Sequence, residues 1–356
     1  MTTPSILCAG DLFITPHALA DSASALLGPT WATVPYGSQW PDEPFGVIDG
    51  VLEASGDPTE LAALATDSEV ILTHLAPITS QVIRAAPALR AIGVTRGGPV
   101  NVDLDAATLC GVPVIYLPGR NLGAVAEFVI GVMITSTRRI DTASRALSTG
   151  VWDARYFQYD LTGLELRAAT VGLVGFGAIG ARVAELLRAF GARVLVSDPY
   201  ADPDRARSVG VEIVDLPELL AQSDFVSLHA RLTPDTRHLM NREAFGTMKP
   251  GARLINTARG ELVDTAALRE AILSGHLGGV ALDVFDPEPP APDDPLLVHP
   301  NVLATPHLAG ASRQVATESV DRVVREVAQF IDHGVLEHCA NPDWVHHSRT
   351  EHRRGR

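Results

Sequence analysis

The 356-residue sequence has little lysine and little cysteine. Lys249 is the only lysine among 28 basic residues, so Schiff-base chemistry would have one candidate, in the turn-like segment MKPGA. The three cysteines, Cys8, Cys110 and Cys339, are too far apart for a disulfide framework or a metal motif. We therefore expect no metal site, and a reducing, cytoplasmic location.

Basic charge and long apolar runs are also scarce. The formal net charge is −14, whereas nucleic-acid binding needs basic patches. The most apolar stretch, residues 124–139, contains Glu127 and is shorter than a membrane span. The N-terminus has no basic segment followed by an apolar run, so no signal peptide is expected. These absences exclude nucleic acid and membrane as expected partners.

Short apolar runs alternate with helical patterns along most of the chain. Between residues 5 and 120 the runs SEVILTH, LRAIGVT and PVIYL predict buried strands. A long helical pattern follows at 123–147, and a second alternation starting with TVGLVGF predicts six more strands. The alternation predicts parallel sheets covered by helices, and the length suits two domains. The fold prediction is an α/β protein with two doubly wound parallel sheets.

Residues 171–180, VGLVGFGAIG, place three glycines between a predicted strand and a predicted helix. Gly175 would allow a tight turn, Gly177 would let the backbone approach a pyrophosphate, and Gly180 would let the helix pack on the strand. The phosphates would meet free N–H groups at the positive end of the helix dipole. This pattern predicts a dinucleotide site.

The next predicted strand ends in Asp198, 18 residues after Gly180. A carboxylate there would accept hydrogen bonds from the adenine ribose and repel the extra phosphate of NADP. The sequence therefore favours NAD, while Arg205 and Arg207 keep NADP as the alternative.

Three polar residues follow later strands of the second alternation, at the sheet edge where open α/β sheets bind ligands. They are Arg259 in NTARGELVD, Glu288 in DPEPP and His307 in TPHLAG. Taken singly, each has an ordinary interpretation as a surface ion pair, a solvated carboxylate or a hydrogen-bonded loop histidine. Their order after a dinucleotide motif points instead to a catalytic set.

The segments INTARGELVD, GGVALDVFDPEPP and NVLATPHLAG, together with VGLVGFGAIG, resemble the D-isomer-specific 2-hydroxyacid dehydrogenases. The resemblance is to phosphoglycerate dehydrogenases without regulatory domains, so no regulatory domain is expected. The resemblance implies hydride transfer between a nicotinamide and C2 of a 2-hydroxy or 2-oxo acid. It makes His307 the proton donor and acceptor, Glu288 its orienting partner, and Arg259 the group that binds the carboxylate and carbonyl oxygen.

The resemblance also implies a set of cofactor contacts, with Asp283 facing the nicotinamide carboxamide. The full set is Gly175, Phe176, Gly177, Ala178, Ile179, Gly180, Asp198, Pro199, His229, Thr257, Ala258 and Asp283.

Two loops of the first domain, 73–77 and 95–101, correspond to substrate loops of the family. The residues expected to bind substrate are Leu75, Ala76, Arg96, Gly97 and Gly98, with Arg259 and His307. The second loop departs from the family pattern, because Val100 stands where an aspartate is usual. Arg96 beside two glycines suits a substrate with a second polar or anionic group, such as a phospho-hydroxyacid or a sugar acid. A surface ion pair is the alternative for Arg96.

Family members share a discontinuous layout and a dimer. We expect a flavodoxin-like substrate domain at 1–121 plus 311–345, an inserted Rossmann-type NAD domain at 122–310, and a flexible tail at 346–356. The resemblance implies a homodimer through the 123–147 region. In the loop that follows, three aromatic side chains either cover the pocket or pack an interface: Tyr156, Phe157 and Tyr159.

Two alternatives to a hydroxyacid dehydrogenase remain. One is a dehydrogenase of a phosphonate- or phosphite-type substrate. The other is a non-catalytic NADH-sensing binding protein, as in the C-terminal-binding-protein corepressors. Formate oxidation is disfavoured, because formate dehydrogenases of the family carry an amide where this chain has Glu288.

Overall fold

A computed structural model describes residues 3–40 and 46–347. The chain divides into two compact units: unit 1 comprises Met1–Arg120 and Ser312–Arg356, and unit 2 comprises Asn121–Ala311. Most of the tail expected at 346–356 lies outside the described residues. Its first two residues end a 3-10 helix, Pro342–His347.

Unit 1 is a five-stranded parallel sheet with helices around it. Its elements are β1 (Ser5–Gly10), α1 (Pro16–Leu26), β2 (Ala32–Gly37), β3 (Gly46–Ile48), β4 (Val51–Ala54), α2 (Pro58–Ala65), β5 (Ser68–Thr73), α3 (Ser80–Ala85), β6 (Ala91–Val94), α4 (Leu104–Leu109) and β7 (Val114–Ile115). The strand order β2-β1-β5-β6-β7 is that of a flavodoxin-like sheet. Strands β3 and β4 form a separate antiparallel pair.

The last helix of the chain belongs to unit 1. It runs from Arg313 to His333, begins with a Ser312 side-chain cap and ends at Gly334 in a left-handed conformation. Its valines at 320, 323, 324 and 327 are buried with Ile6, Cys8 and Val70 of the sheet. The 3.6-residue periodicity of these valines therefore explains why a C-terminal helix completes the N-terminal sheet.

Unit 2 is a seven-stranded parallel sheet with two helices before it. Its elements are α5 (Leu122–Arg138), α6 (Ile140–Ser148), β8 (Thr170–Val174), α7 (Ala178–Ala189), β9 (Arg193–Ser197), α8 (Pro203–Val209), β10 (Glu212–Ile213), α9 (Leu216–Gln222), β11 (Phe225–Leu228), α10 (Arg242–Thr247), β12 (Arg253–Asn256), α11 (Thr265–Leu273), β13 (Gly279–Leu282), α12 (Pro295–Val298) and β14 (Val302–Ala304). The strand order is β10-β9-β8-β11-β12-β13-β14. The chain reverses direction across the sheet between β8 and β11, as in Rossmann-type sheets, and the prediction of two doubly wound parallel sheets is confirmed.

Two details of unit 2 differ from the sequence prediction. The long helix predicted at 123–147 is two helices, because Arg139 adopts a left-handed conformation (φ 52°) between α5 and α6. The Arg139 guanidinium also donates to Oδ1 of Asn301 at 3.1 Å, a contact that the helical pattern does not encode. The sheet has a seventh strand, β10, whose two exposed residues carry no strong apolar signal.

Within the described residues, no helix combines the length and apolar character that crossing a bilayer requires. All three cysteines are unpaired.

Candidate active site

The glycine turn joins β8 to α7 with very little space around two of its residues. Gly175 has a φ of 101°, and a Cβ there would lie 2.7 Å from the backbone nitrogen of Ala230. A Cβ on Gly180 would lie 2.3 Å from the carbonyl oxygen of Gly175. The backbone conformation therefore requires glycine at position 175. Close packing of the helix against the turn requires it at position 180.

Gly177 differs, because a Cβ built on it would meet nothing within 4 Å. It is the N-cap residue of the 12-residue helix α7 and has no side chain to cap the first turn. No side chain caps the first backbone N–H groups of α7, which lie at the positive end of the helix dipole. This arrangement fits a dinucleotide pyrophosphate.

Asp198 follows β9 and holds the glycine turn through its carboxylate. Oδ2 accepts a hydrogen bond from the N–H of Phe176 at 2.7 Å, and Oδ1 accepts one from the N–H of Tyr200 at 2.8 Å. Each carboxylate oxygen has a second lone pair, so a ribose hydroxyl can still be accepted. The local role in holding the turn was not predicted from the sequence.

Two further groups in unit 2 suit a bound cofactor. His229 lies next to the turn, with Nε2 3.0 Å from the hydroxyl oxygen of Ser227, and burial lowers its pKa to about 4, so the imidazole is neutral. In the Arg259 loop, Oγ1 of Thr257 is buried and has no hydrogen-bond partner among the described residues. A buried hydroxyl of this kind fits a ligand contact.

Arg259 lies in a loop that its own neighbours fix. Asn256, the last residue of β12, donates from Nδ2 to the carbonyl of Arg259 at 2.8 Å and accepts at Oδ1 from the N–H of Ala258 at 3.1 Å. A Cβ on Gly260 would lie 1.9 Å from the carbonyl oxygen of Phe285. Absence of a side chain at Gly260 therefore lets the Arg259 loop touch the chain segment that leads to Glu288.

Glu288 and His307 form a direct contact. Nδ1 of His307 lies 2.7 Å from Oε1 of Glu288, and Oε2 of Glu288 accepts from the N–H of Phe285 at 3.2 Å. The side chains remain 49% and 31% exposed, for His307 and Glu288 respectively, so solvent and a substrate can reach the imidazole. The structure thus places two of the three predicted catalytic residues, Glu288 and His307, in contact. The third, Arg259, lies in a loop that touches the segment before Glu288.

The contact shifts both pKa values in opposite directions. The hydrogen bond and charge of Glu288 raise the pKa of His307, against a smaller lowering by burial and by the charge of Arg259. Burial acts to raise the pKa of Glu288, but the hydrogen bond and charge of His307, the N–H of Phe285 and the charge of Arg259 together lower it. The pair therefore favours imidazolium beside carboxylate.

Asp283 is buried and organises the loop that carries His307. Its carboxylate accepts hydrogen bonds from the hydroxyl of Thr305 at 2.6 Å, the N–H of Leu308 at 2.7 Å and the N–H of Ala309 at 2.8 Å. Its carbonyl accepts from the N–H of His307 at 2.9 Å, where the histidine has a left-handed φ of 54°. Asp283 was expected as a cofactor contact; its role in shaping the histidine loop was missed.

The residues expected to bind substrate from the first domain all lie in unit 1. Leu75 and Ala76 are buried, whereas Gly97 and Gly98 are exposed. The Arg96 guanidinium is already engaged, because Nη1 donates to the carbonyl of Glu53 at 3.0 Å and Nη2 contacts the Glu53 carboxylate.

Comparison with known proteins identifies the family. Residues 130–309 match the family described as D-isomer specific 2-hydroxyacid dehydrogenase, NAD binding domain. A D-3-phosphoglycerate dehydrogenase of Archaeoglobus fulgidus is 38% identical over 257 residues, which are 72% of this chain and 48% of that protein. A glyoxylate reductase of Korarchaeum cryptofilum is 36% identical over 291 residues, 82% of this chain and 85% of that one.

Among solved structures, the apo D-lactate dehydrogenase of Escherichia coli superposes with a TM-score of 0.74 at 28% identity, covering 94% of this chain and 99% of the other. The chain spans about half the length of the phosphoglycerate dehydrogenases that it matches. The glycine turn, the Arg259 loop and the Glu288–His307 pair fall in or beside the matched segment. The chain belongs to the D-isomer-specific 2-hydroxyacid dehydrogenase family and carries its NAD-binding domain.

Proposed function

We propose that the chain is an NAD-dependent D-2-hydroxyacid dehydrogenase. It would transfer hydride between the nicotinamide and C2 of a 2-hydroxy or 2-oxo acid, with Arg259, Glu288 and His307 as its catalytic residues. The observation that carries the proposal is the 2.7 Å contact between His307 and Glu288, beside the Arg259 loop and in the same unit as the glycine turn.

In the direction of reduction, bound NADH would supply the hydride, and the protein would supply a proton and fix the acid. Because Nδ1 of His307 faces Glu288, the proton for the C2 oxygen comes from Nε2. Glu288 keeps the imidazole oriented and favours its protonated form. Arg259 would bind the carboxylate and stabilise the charge that grows on the C2 oxygen. In oxidation the neutral imidazole would take the proton back.

We propose NAD rather than NADP as the cofactor. The Asp198 carboxylate at the end of β9 supports this, because it would repel a phosphate on the adenine ribose while its free lone pairs accept the ribose hydroxyls. Arg205, whose Cζ atom lies 5.8 Å from the centre of the Phe176 ring, is a candidate for binding that phosphate in the NADP alternative. Parallel kcat/KM values with NADH and NADPH test the choice, and a preference for NADPH contradicts it.

The substrate is proposed to carry a second polar or anionic group. The resemblance implies that the loops 73–77 and 95–101 contact the substrate, and relatives named for phosphoglycerate support a second anionic group. Relatives named for glyoxylate, which has no such group, keep a smaller acid as the alternative. The experiment is NADH consumption by the purified protein with a panel of 2-oxo acids that spans glyoxylate, hydroxypyruvate, phosphorylated acids and sugar-derived acids. Turnover of one acid supports the dehydrogenase. Tight NADH binding without turnover of any acid contradicts it and favours a phosphonate-type substrate or an NADH-sensing protein.

A homodimer is proposed through α5, α6 and the loop that follows. Support comes from side chains that are largely exposed in the single chain: Trp152 at 80%, Phe157 at 90% and Tyr159 at 91%. Exposed aromatics grouped in one segment are typical of an interface. Light scattering on a column tests this, and Phe157→Ser with Tyr159→Ser should give monomers. Loss of activity with the dimer intact would instead assign these aromatics to the pocket.

A further inference from the structure

Arg120, at the end of the loop after β7, has a terminal nitrogen without an acceptor. Its Nη1 atom is buried and has no hydrogen-bond partner within residues 3–40 and 46–347. The other terminal nitrogen, Nη2, lies 3.4 Å from Nε2 of His74. A buried charged donor with no acceptor is costly for a folded protein, so its presence points to an anionic ligand.

A buried pair of side chains fixes the position of that guanidinium. Oδ2 of Asp11 lies 2.6 Å from Nδ1 of His74, and these side chains are 1% and 6% exposed. Oδ1 of Asp11 accepts from the N–H groups of Phe13 at 2.8 Å and Ile14 at 2.9 Å. Asp11 is therefore held by the backbone, His74 is held by Asp11, and Arg120 is held by His74.

The protonation state of His74 determines whether its Nε2 atom can accept a hydrogen bond from Arg120. Burial lowers its pKa, against the effect of Asp11, and the positive charges of Arg120 and Arg96 lower it further. The neutral imidazole then carries its proton on Nδ1, donated to Asp11, and presents the Nε2 lone pair to Arg120. His74 thus accepts a hydrogen bond from Nη2 of Arg120 and leaves Nη1 for a ligand.

Arg96 has no terminal nitrogen free for a ligand. The N–H of Leu117 donates to the carbonyl of Arg96 at 2.8 Å, which ties the Arg96 loop to the loop that ends at Arg120. Both terminal nitrogens of Arg96 already contact Glu53. Burial and the nearby charge of Arg96 lower the pKa of Arg120 to about 10, so Arg120 still carries its positive charge at neutral pH. The Glu53 carboxylate already balances the Arg96 charge, and the Asp11 carboxylate stabilises the charged form of Arg120. The case for an anion therefore rests on the buried Nη1 donor of Arg120.

We propose that Arg120, positioned by the Asp11–His74 pair, binds the second anionic group of the substrate, a carboxylate or a phosphate. This inference rests on the proposed dehydrogenase function. It assigns recognition of the second group to Arg120, whereas the sequence had suggested Arg96. His74 and Asp11 are positioning residues, because they act on the ligand through Arg120.

The test compares matched 2-oxo acids that differ in the second group. One pair is 2-oxopentanedioate and 2-oxopentanoate, and the other is phosphohydroxypyruvate and hydroxypyruvate. The two pairs distinguish a carboxylate from a phosphate. For Arg120→Met we expect kcat/KM to fall about tenfold to a hundredfold for the charged acid that wild type prefers, and less than about threefold for its neutral partner. The loss should appear mainly in KM.

Arg84→Met is the matched control, because Arg84 is exposed on α3 in unit 1. It should leave both kcat/KM values unchanged. If Arg120→Met yields no folded protein, Arg120→Lys replaces it; this variant keeps the charge but loses the second nitrogen, and it should show the same selective loss. Inhibition by inorganic phosphate or malonate, competitive with the oxo acid, should weaken in parallel.

The outcomes separate the two proposals. If wild type reduces no acid of either pair and none of the wider panel, the dehydrogenase function is contradicted. If it reduces only acids without a second anionic group, the dehydrogenase stands and the anion site is contradicted. If wild type reduces them but the Arg120 variants lose equal activity with charged and neutral acids, Arg120 is structural and the anion site is wrong.

Discussion

Nδ1 of His307 lies 2.7 Å from Oε1 of Glu288, and each residue stabilises the charged form of the other. The carboxylate is also held by the N–H of Phe285, so the imidazole has a fixed partner on its Nδ1 side. The remaining ring proton, on Nε2, is then the one available to a substrate. A single contact therefore sets both the orientation and the protonation of the proposed acid.

Glu288→Gln should move the pH dependence of oxo-acid reduction. The reaction needs protonated His307, so kcat/KM should fall as the pH rises through the pKa of His307. Because Glu288 raises that pKa, its replacement by a neutral amide should lower it and shift the falling limb to lower pH. The measurement is kcat/KM for reduction across pH 5–9.

The control for this variant is Glu243→Gln, an exposed position on α10. It should reproduce the wild-type profile. A uniform loss at every pH in Glu288→Gln, with the falling limb unmoved, would mean that Glu288 does not set the pKa of His307.

Asp283→Asn should loosen the histidine loop. An amide can replace only part of the carboxylate's acceptor capacity, and its NH2 group would face the N–H of Leu308 or Ala309. We expect the free energy of unfolding without cofactor to fall by roughly 1–3 kcal/mol. Denaturant unfolding measures it, with exposed Asp293→Asn as the control. An unchanged midpoint in Asp283→Asn would contradict this role.

Much of the fold follows from local pattern. The runs SEVILTH and TVGLVGF lie on β5 and β8, because consecutive apolar residues between helical segments form buried parallel strands. The break at Arg139 could not be predicted, since it depends on a left-handed residue and on a contact with Asn301 far along the chain. Strand β10 was missed because two exposed residues give no apolar signal.

The sequence indicates the catalytic residues of the site, because they follow predicted strands. It does not indicate the contacts that hold the site residues in position. Glu288 and His307 were predicted as partners, and the structure places them in contact. The Asp11–His74 pair joins residues 63 positions apart, so no local pattern indicates it. The sequence shows only that one polar residue follows β1 and another follows β5.

Gly177→Ala should separate cofactor binding from folding. A Cβ there meets nothing within 4 Å in the protein, so the fold should tolerate it at a cost of at most about 1 kcal/mol at the N-cap. The methyl group would occupy the space proposed for the pyrophosphate, and we expect the Kd for NADH to rise about tenfold or more. Fluorescence titration measures this. Gly123→Ala, also in open space, should bind NADH normally; an unchanged Kd in Gly177→Ala would place the pyrophosphate elsewhere.

Gly260→Ala tests the contact that brings the Arg259 loop against the segment preceding Glu288. A Cβ there would lie 1.9 Å from the Phe285 carbonyl oxygen, so the two backbones must separate. Gly246→Ala on α10 is the control, since its Cβ meets nothing, and it should gain a few tenths of a kcal/mol in stability, up to about 1. For Gly260→Ala we expect kcat to fall on the order of a hundredfold, because a small displacement of a reacting group greatly slows the reaction. NADH binding should weaken less than kcat falls, since the glycine turn follows β8 while the displaced loop follows β12. Normal kcat in a folded Gly260→Ala protein would show that the spacing of the two loops does not limit the reaction.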